Sequence, residues 1–126
     1  YVQTDSVATI ADGIAAKAPG DITVPLIQKY ADDVVTVNDL EISEAVLLLM
    51  ERCKQIVEPS GAAPVAAVLK GKVDVKGKNV VCLLSGGNID VNILSRVITR
   101  GLVMSGRKAN LTIALEDKPG QLQRVA

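Results

Sequence analysis

Val80-Val81-Cys82-Leu83-Leu84-Ser85-Gly86-Gly87-Asn88 is an unbroken apolar run that stops at a serine, two glycines and an asparagine, with an amphipathic segment behind it. A run bounded in this way reads as a strand buried on both faces, the pattern of parallel sheets covered by helices. Ser85 then stands where such sheets place ligands, in the crevice beyond the carboxyl ends of the strands. Glycines there let the backbone approach a ligand closely. The run therefore predicts a small molecule held at Ser85.

The flanks agree with a helix-covered sheet. After the turn, Val91, Leu94, Ile98 and Leu102 make one apolar stripe, with Arg96 and Arg100 opposite and Gly106 as a C-terminal cap, which predicts a helix. Upstream, Glu58-Pro59-Ser60-Gly61-Ala62-Ala63-Pro64 reads as a turn into a small-residue helix ending near Gly71. Its alanines leave room for another backbone or a ligand. Asn38-Asp39-Leu40-Glu41 supplies a cap residue with a glutamate three positions on, and Ile42, Val46, Leu49, Cys53 and Ile56 continue at helical spacing. Glu41 and Glu44 fall near the start of that helix and Arg52 and Lys54 near its end, as the helix dipole favours. Residues 22–30 read as a short helix with Pro25 in its first turn, and 34–37 as a short β-branched strand.

Beyond Gly106 the pattern changes. Residues 110–115 alternate like a half-buried strand, and Glu116-Asp117-Lys118-Pro119-Gly120 turns the chain into 121–126. Alternation here, against the continuous run at Val80, predicts a second kind of sheet and a domain boundary near 106–109.

Composition narrows the chemistry. The 126 residues are 48% hydrophobic and 22% charged, a globular balance sufficient for one core. Phe and Trp are absent, so Val, Ile, Leu and Ala must supply the burial. Fourteen basic residues balance fourteen acidic ones, and no basic patch with interleaved aromatics occurs, which argues against a nucleic-acid partner. The chain has no histidine, which removes a Ser-His-Asp triad, a His-bearing zinc site and imidazole acid–base catalysis. No metal site is expected. Cys53 and Cys82 are too widely spaced for a C-x-x-C motif and read as core filler; with no secretory segment the chain reads as a reduced cytoplasmic protein. No apolar run is long enough to span a membrane. The chain opens at Tyr1 without an initiator Met and closes at Ala126 inside an apparent helix, so it reads as part of a longer polypeptide.

Three strings, in this order and at these separations, carry a resemblance: Thr9-Ile10-Ala11-Asp12-Gly13-Ile14-Ala15, Val57-Glu58-Pro59-Ser60-Gly61-Ala62 and Leu84-Ser85-Gly86-Gly87-Asn88-Ile89-Asp90. They resemble the latter half of threonine dehydratases, fold-type II pyridoxal-phosphate enzymes whose relatives include serine racemases. The string from Leu111 to Leu122, with Asp117-Lys118-Pro119-Gly120-Gln121-Leu122, is similar to the opening of an ACT domain.

The resemblance implies an α/β fold: part of a three-layer domain with mostly parallel strands over residues 1–106, then the first strand and helix of an ACT-like α+β module over 107–126. It implies pyridoxal 5'-phosphate as cofactor, an amino-acid substrate and a homo-oligomer in the parent protein. Ser85 matches the serine that hydrogen-bonds the cofactor's pyridine nitrogen. Gly86, with Gly87, gives room beside the ring, and Asn88 lies behind them or caps the next helix. Glu58 belongs to the cofactor neighbourhood or serves as a structural acceptor. Gly13 brings backbone close to the cofactor, and Asp12 serves equally as a turn residue. The family's Schiff-base lysine, in an S-F-K-x-R-type segment, and its phosphate-binding glycine loop do not occur in these residues. Catalysis is therefore expected of the parent, deaminating threonine or serine, and not of this stretch alone. The alternatives are a non-catalytic domain or amino-acid-sensing piece, or a serine racemase.

Overall fold

The computed structural model describes residues 2–124. Among the described residues there are four helices, α1 (Thr23–Tyr30), α2 (Asp39–Leu48), α3 (Pro59–Leu69) and α4 (Val91–Met104), of which α1 buries no residue and packs on no other element. Short 3-10 turns at Asp12–Ile14 and Leu122–Arg124 and a π turn at Leu49–Cys53 complete the described elements. α2 is the centre of the packing. It lies against both α3 and α4, and the Asp12–Ile14 turn rests on α3.

The central helix starts where its first residues require. Asn38 Oδ1 accepts the N–H groups of Leu40 and Glu41, each at 3.0 Å, and Glu41 Oε2 accepts the Asn38 N–H at 2.8 Å. Three otherwise orphaned donors are satisfied in this way, those of Asn38 and Glu41 by each other's side chains. Ile42, Ala45, Val46 and Leu49 then join Ala11, Val57, Ala62, Ala66 and Val97 in one core. α4 crosses α2 closely at Gly101, where a Cβ would stand 2.8 Å from the Ser43 carbonyl oxygen.

α2 ends earlier than its apolar spacing predicts. The π turn adds a residue to the helical repeat and so rotates later positions off the buried face. Lys54 follows in the left-handed region at φ 57°, and Cys53 and Ile56 are exposed instead of filling the core.

α4 is capped at its start by Asp90, whose carboxylate accepts the Asn92 N–H at 2.7 Å, and not by Asn88. Its end is the glycine stop that the sequence predicts: Gly106 has φ 69°, its N–H reaches Val103 O at 3.0 Å, and Arg107 N–H reaches Leu102 O at 2.9 Å. Arg107 then forks onto Glu51, Nη1 to Oε1 at 2.8 Å and Nη2 to Oε2 at 3.0 Å, fastening the exit of α4 to the π turn. The guanidinium hydrogen bond holds the Glu51 carboxyl below its ordinary range.

The sheet half of the α/β expectation does not form. Among the described residues no strand is present: 34–37, 80–84 and 110–115 make no ladder. Parallel strands need neighbours delivered by long crossovers, and the described residues place none beside these segments. Residues 81–84 nevertheless keep a period of two. Leu84 packs on the core and Cys82 is half-buried, whereas Val81 and Leu83 are 93% and 73% exposed. One face of the run is covered by helices and the other is open. Residues 111–120 are exposed throughout, so the expected ACT-like strand is absent. The helix expected over 121–126 is represented by the 3-10 turn at Leu122–Arg124, and residues 125–126 lie outside the described part. No described helix is long and apolar enough to cross a membrane.

Candidate cofactor site

Three stretches far apart in sequence converge at the start of α3. Glu58 N–H donates to the Gly86 carbonyl at 3.0 Å, so the helix entry and the end of the apolar run are joined by backbone. Gly61, in the first turn of α3, lies under the next peptide: a Cβ there would meet Gly86 N at 3.1 Å and Ser85 N at 3.2 Å. Gly86 is close-packed in turn. A Cβ on it would run into the Glu58 carboxylate, with Oε2 at 3.0 Å. From the other side, a Cβ on Gly13 would stand 2.9 Å from Ser60 Oγ and 3.5 Å from Glu58 Oε1.

Gly13, Glu58, Ser85 and Gly86 therefore belong to one constellation, while Asn88 is exposed and stands beyond it, in the turn closed by Ile89 N–H on Gly87 O at 3.0 Å. Ser85 falls on the outward face of the run, with Val81 and Leu83. Asp12 is a turn residue: its carboxylate accepts the N–H of Gly13 at 2.9 Å.

Ser60 and Gly61 lie within the Val57–Ala62 string and are further members of the cluster to which the sequence reading gives no site role. Ser60 Oγ is buried with no hydrogen-bond partner, and such groups are uncommon enough in folded proteins to require a reason. A cleft of about 520 Å³, lined by Thr9, Ala11, Val35, Val37, Ile42 and Ser60 among others, opens beside it and does not include Ser85. The signal for Gly61 is present in the sequence: glycine is a poor helix former, so one inside the first turn marks a close approach.

These residues suit the ring end of an aromatic cofactor. Gly61 lets the first turn of α3 pack directly on the Ser85 and Gly86 backbone, Ser85 offers a neutral hydroxyl, and Glu58 is the cluster's carboxylate, lying in the space beside Gly86. The cluster holds neither a lysine nor the glycine-rich loop of a phosphate cradle.

A profile of the pyridoxal-phosphate dependent enzyme family matches residues 1–86, and the chain belongs to that family. It is 52% identical over 117 residues to an L-threonine ammonia-lyase of Thermotoga maritima, covering 93% of this chain and 29% of that protein. It is 50% identical over 126 residues to an L-threonine ammonia-lyase of Geobacter sulfurreducens, covering 99% of this chain and 31% of that protein. The chain thus spans under a third of the length of these curated relatives. Among solved structures, the processed form of threonine deaminase isoform 2 from Solanum lycopersicum matches with a TM-score of 0.68 and 30% identity, over 79% of this chain and 29% of that one. A serine racemase from Dictyostelium discoideum matches with a TM-score of 0.62 and 39% identity, over 69% of this chain and 29% of that one.

Proposed function

We propose that this chain is the portion of a pyridoxal-phosphate dependent ammonia-lyase that receives the pyridine end of the cofactor, in a parent protein that converts L-threonine to 2-oxobutanoate and ammonia. The observation that carries the reading is the 50% identity to a threonine ammonia-lyase maintained over 99% of the chain. The convergence of Gly13, Glu58, Ser85 and Gly86 on one point supports it independently.

The bound cofactor supplies an electron sink that acidifies the substrate's α-carbon and lets the β-hydroxyl leave. This chain's contribution is electrostatic and positional. Ser85 presents a hydroxyl to the ring nitrogen, and a neutral partner does not hold that nitrogen protonated as a carboxylate would. A serine at this position would suit loss of a proton and a β-hydroxyl without transfer of the amino group. Gly86 and Gly61 keep main chain close on either side of Ser85, and Glu58 N–H fixes that turn through the Gly86 carbonyl. Residues 1–106 serve in this reading as the catalytic portion and 107–126 as the opening of an ACT-like regulatory module. The parent is a cytoplasmic homo-oligomer.

The test is Ser85→Ala in the full-length protein, with cofactor affinity, cofactor absorbance and 2-oxobutanoate formation measured together. Affinity and elimination should both fall, by about tenfold or more, with the absorbance maximum displaced. Unchanged absorbance and rate would overturn the role of Ser85. Threonine giving no 2-oxobutanoate, with serine emerging as a mixture of enantiomers, would assign the parent to the racemases.

A further inference from the structure

The first turn of α3 holds a polar atom that the reading above leaves unused. Ser60 is 8% exposed and its Oγ has no hydrogen-bond partner. Two other serines in or beside helices find a backbone acceptor four residues back: Ser43 Oγ donates to Asp39 O at 2.7 Å and Ser105 Oγ to Gly101 O at 2.9 Å. Ser60, one residue inside the helix start, makes no such bond.

The acceptor it lacks is close at hand. Glu58 occupies the N-cap position of α3, yet its side chain does not cap the helix. The carboxylate lies instead against Gly86, filling the space that the missing Cβ leaves. Ser60 Oγ and Glu58 Oε1 both face the same side of Gly13, at 2.9 and 3.5 Å from where its Cβ would be. A buried donor without an acceptor and a carboxylate not used on its own helix thus meet over one glycine. A ligand seated beside Ser85 and Gly86 competes with Glu58 for that space.

We propose that Ser60 is a positioning residue for Glu58: its hydroxyl donates to the Glu58 carboxylate when that carboxylate leaves Gly86, and so holds the carboxylate on the Gly13 side, clear of the Ser85 end of the site. The inference rests on the cofactor reading. It gives a partner to a buried hydroxyl that otherwise has none, and it needs the glycine at position 13, since a side chain there would meet Ser60 Oγ at 2.9 Å. A hydrogen bond to an ionised acceptor is among the stronger ones a side chain makes, so its loss is measurable.

The experiment uses the full-length protein titrated with pyridoxal 5'-phosphate, followed by cofactor fluorescence, as wild type, Ser60→Ala, Ser60→Thr, Glu58→Gln and the Ser60→Ala/Glu58→Gln double variant. Ser60→Ala should weaken cofactor binding by roughly tenfold, and Ser60→Thr should restore it to within about threefold. In the Glu58→Gln background Ser60→Ala should add less than about twofold, because the two groups act as one unit. Without cofactor, Ser60→Ala should unfold at an equal or higher temperature than wild type, since it removes an unpaired buried hydroxyl. An equal loss of affinity in both Glu58 backgrounds, or an affinity unmoved by Ser60→Ala, overturns the pairing while leaving the cofactor reading intact. A wild-type protein that takes up no cofactor overturns that reading and the pairing with it.

Discussion

Glu58 N–H donates to the Gly86 carbonyl across 3.0 Å, and this single backbone bond joins the start of α3 to the end of the apolar run. The first turn of α3 also approaches Ser85 itself, whose N lies 3.2 Å from where a Gly61 Cβ would be. Both the close approach at Gly61 and the buried hydroxyl at Ser60 lie in that turn.

Gly61→Ala tests the close approach. The new methyl would face Gly86 N at 3.1 Å and Ser85 N at 3.2 Å, and these are backbone atoms that move only with their chain. A shift of a few tenths of an ångström at Ser85 should weaken cofactor binding by roughly tenfold while the helices persist. Titration with pyridoxal 5'-phosphate alongside far-ultraviolet circular dichroism separates the two effects, and undiminished affinity would refute the close approach.

Gly101→Ala tests the crossing of α2 and α4. The methyl would stand 2.8 Å from the Ser43 carbonyl and 2.9 Å from Leu47 Cβ, so the helices must part or shift. Overpacking of this kind should cost about 1–3 kcal/mol, read from urea unfolding. A neutral or stabilising result would mean that the helices cross less closely.

The cap of α2 sets an acid dependence. The Asn38 N–H bonded to Glu41 holds that carboxyl below the ordinary value of 4.5, and Lys72, 3.4 Å away, acts in the same direction. Because the folded value is the lower one, the contribution is complete above the unfolded value and is lost as pH falls through the folded one. Glu41→Gln should accordingly unfold with a shallower loss of stability below about pH 4.5. At neutral pH, Asn38→Ala should cost about 1 kcal/mol. Denaturant midpoints across the acid range check both.

Lys54 closes the π turn with φ 57° and ψ 32°, a conformation that costs a residue with a Cβ about 1 kcal/mol. Lys54→Gly should therefore be neutral to stabilising in thermal unfolding, despite loss of the Lys54 Nζ bond to Glu51 O at 2.7 Å. Lys54→Val, with a branched Cβ, should destabilise. The reverse order would contradict the left-handed assignment.

How far each feature was legible depended on how near its partners lie along the chain. The Asn38–Glu41 box and the Gly106 stop were readable because every donor and acceptor in them sits within a few residues, so type and spacing suffice. Asn88 has the residue type of a cap for α4, but the helix starts two positions on and Asp90 caps it. The turn after Ser85 was legible because its glycine pair interrupts the apolar run locally. The strand leading to it was not, since a ladder requires neighbours that local pattern does not name, and Val81 and Leu83 stand exposed.

Residue identities and short spacings, by themselves, determined where α2 begins and where α4 ends, left this chain's own residues without histidine chemistry, and supplied the motifs that carry the family resemblance. Tertiary structure alone decided that Gly13, Glu58, Ser60, Gly61 and Gly86 meet, that the π turn turns Cys53 out of the core, and that a buried hydroxyl faces a carboxylate across a glycine. The division follows from range. Caps and turns are closed by hydrogen bonds within one or two helical turns, whereas the site is closed by van der Waals contacts among segments whose separation in sequence carries no information about their separation in space.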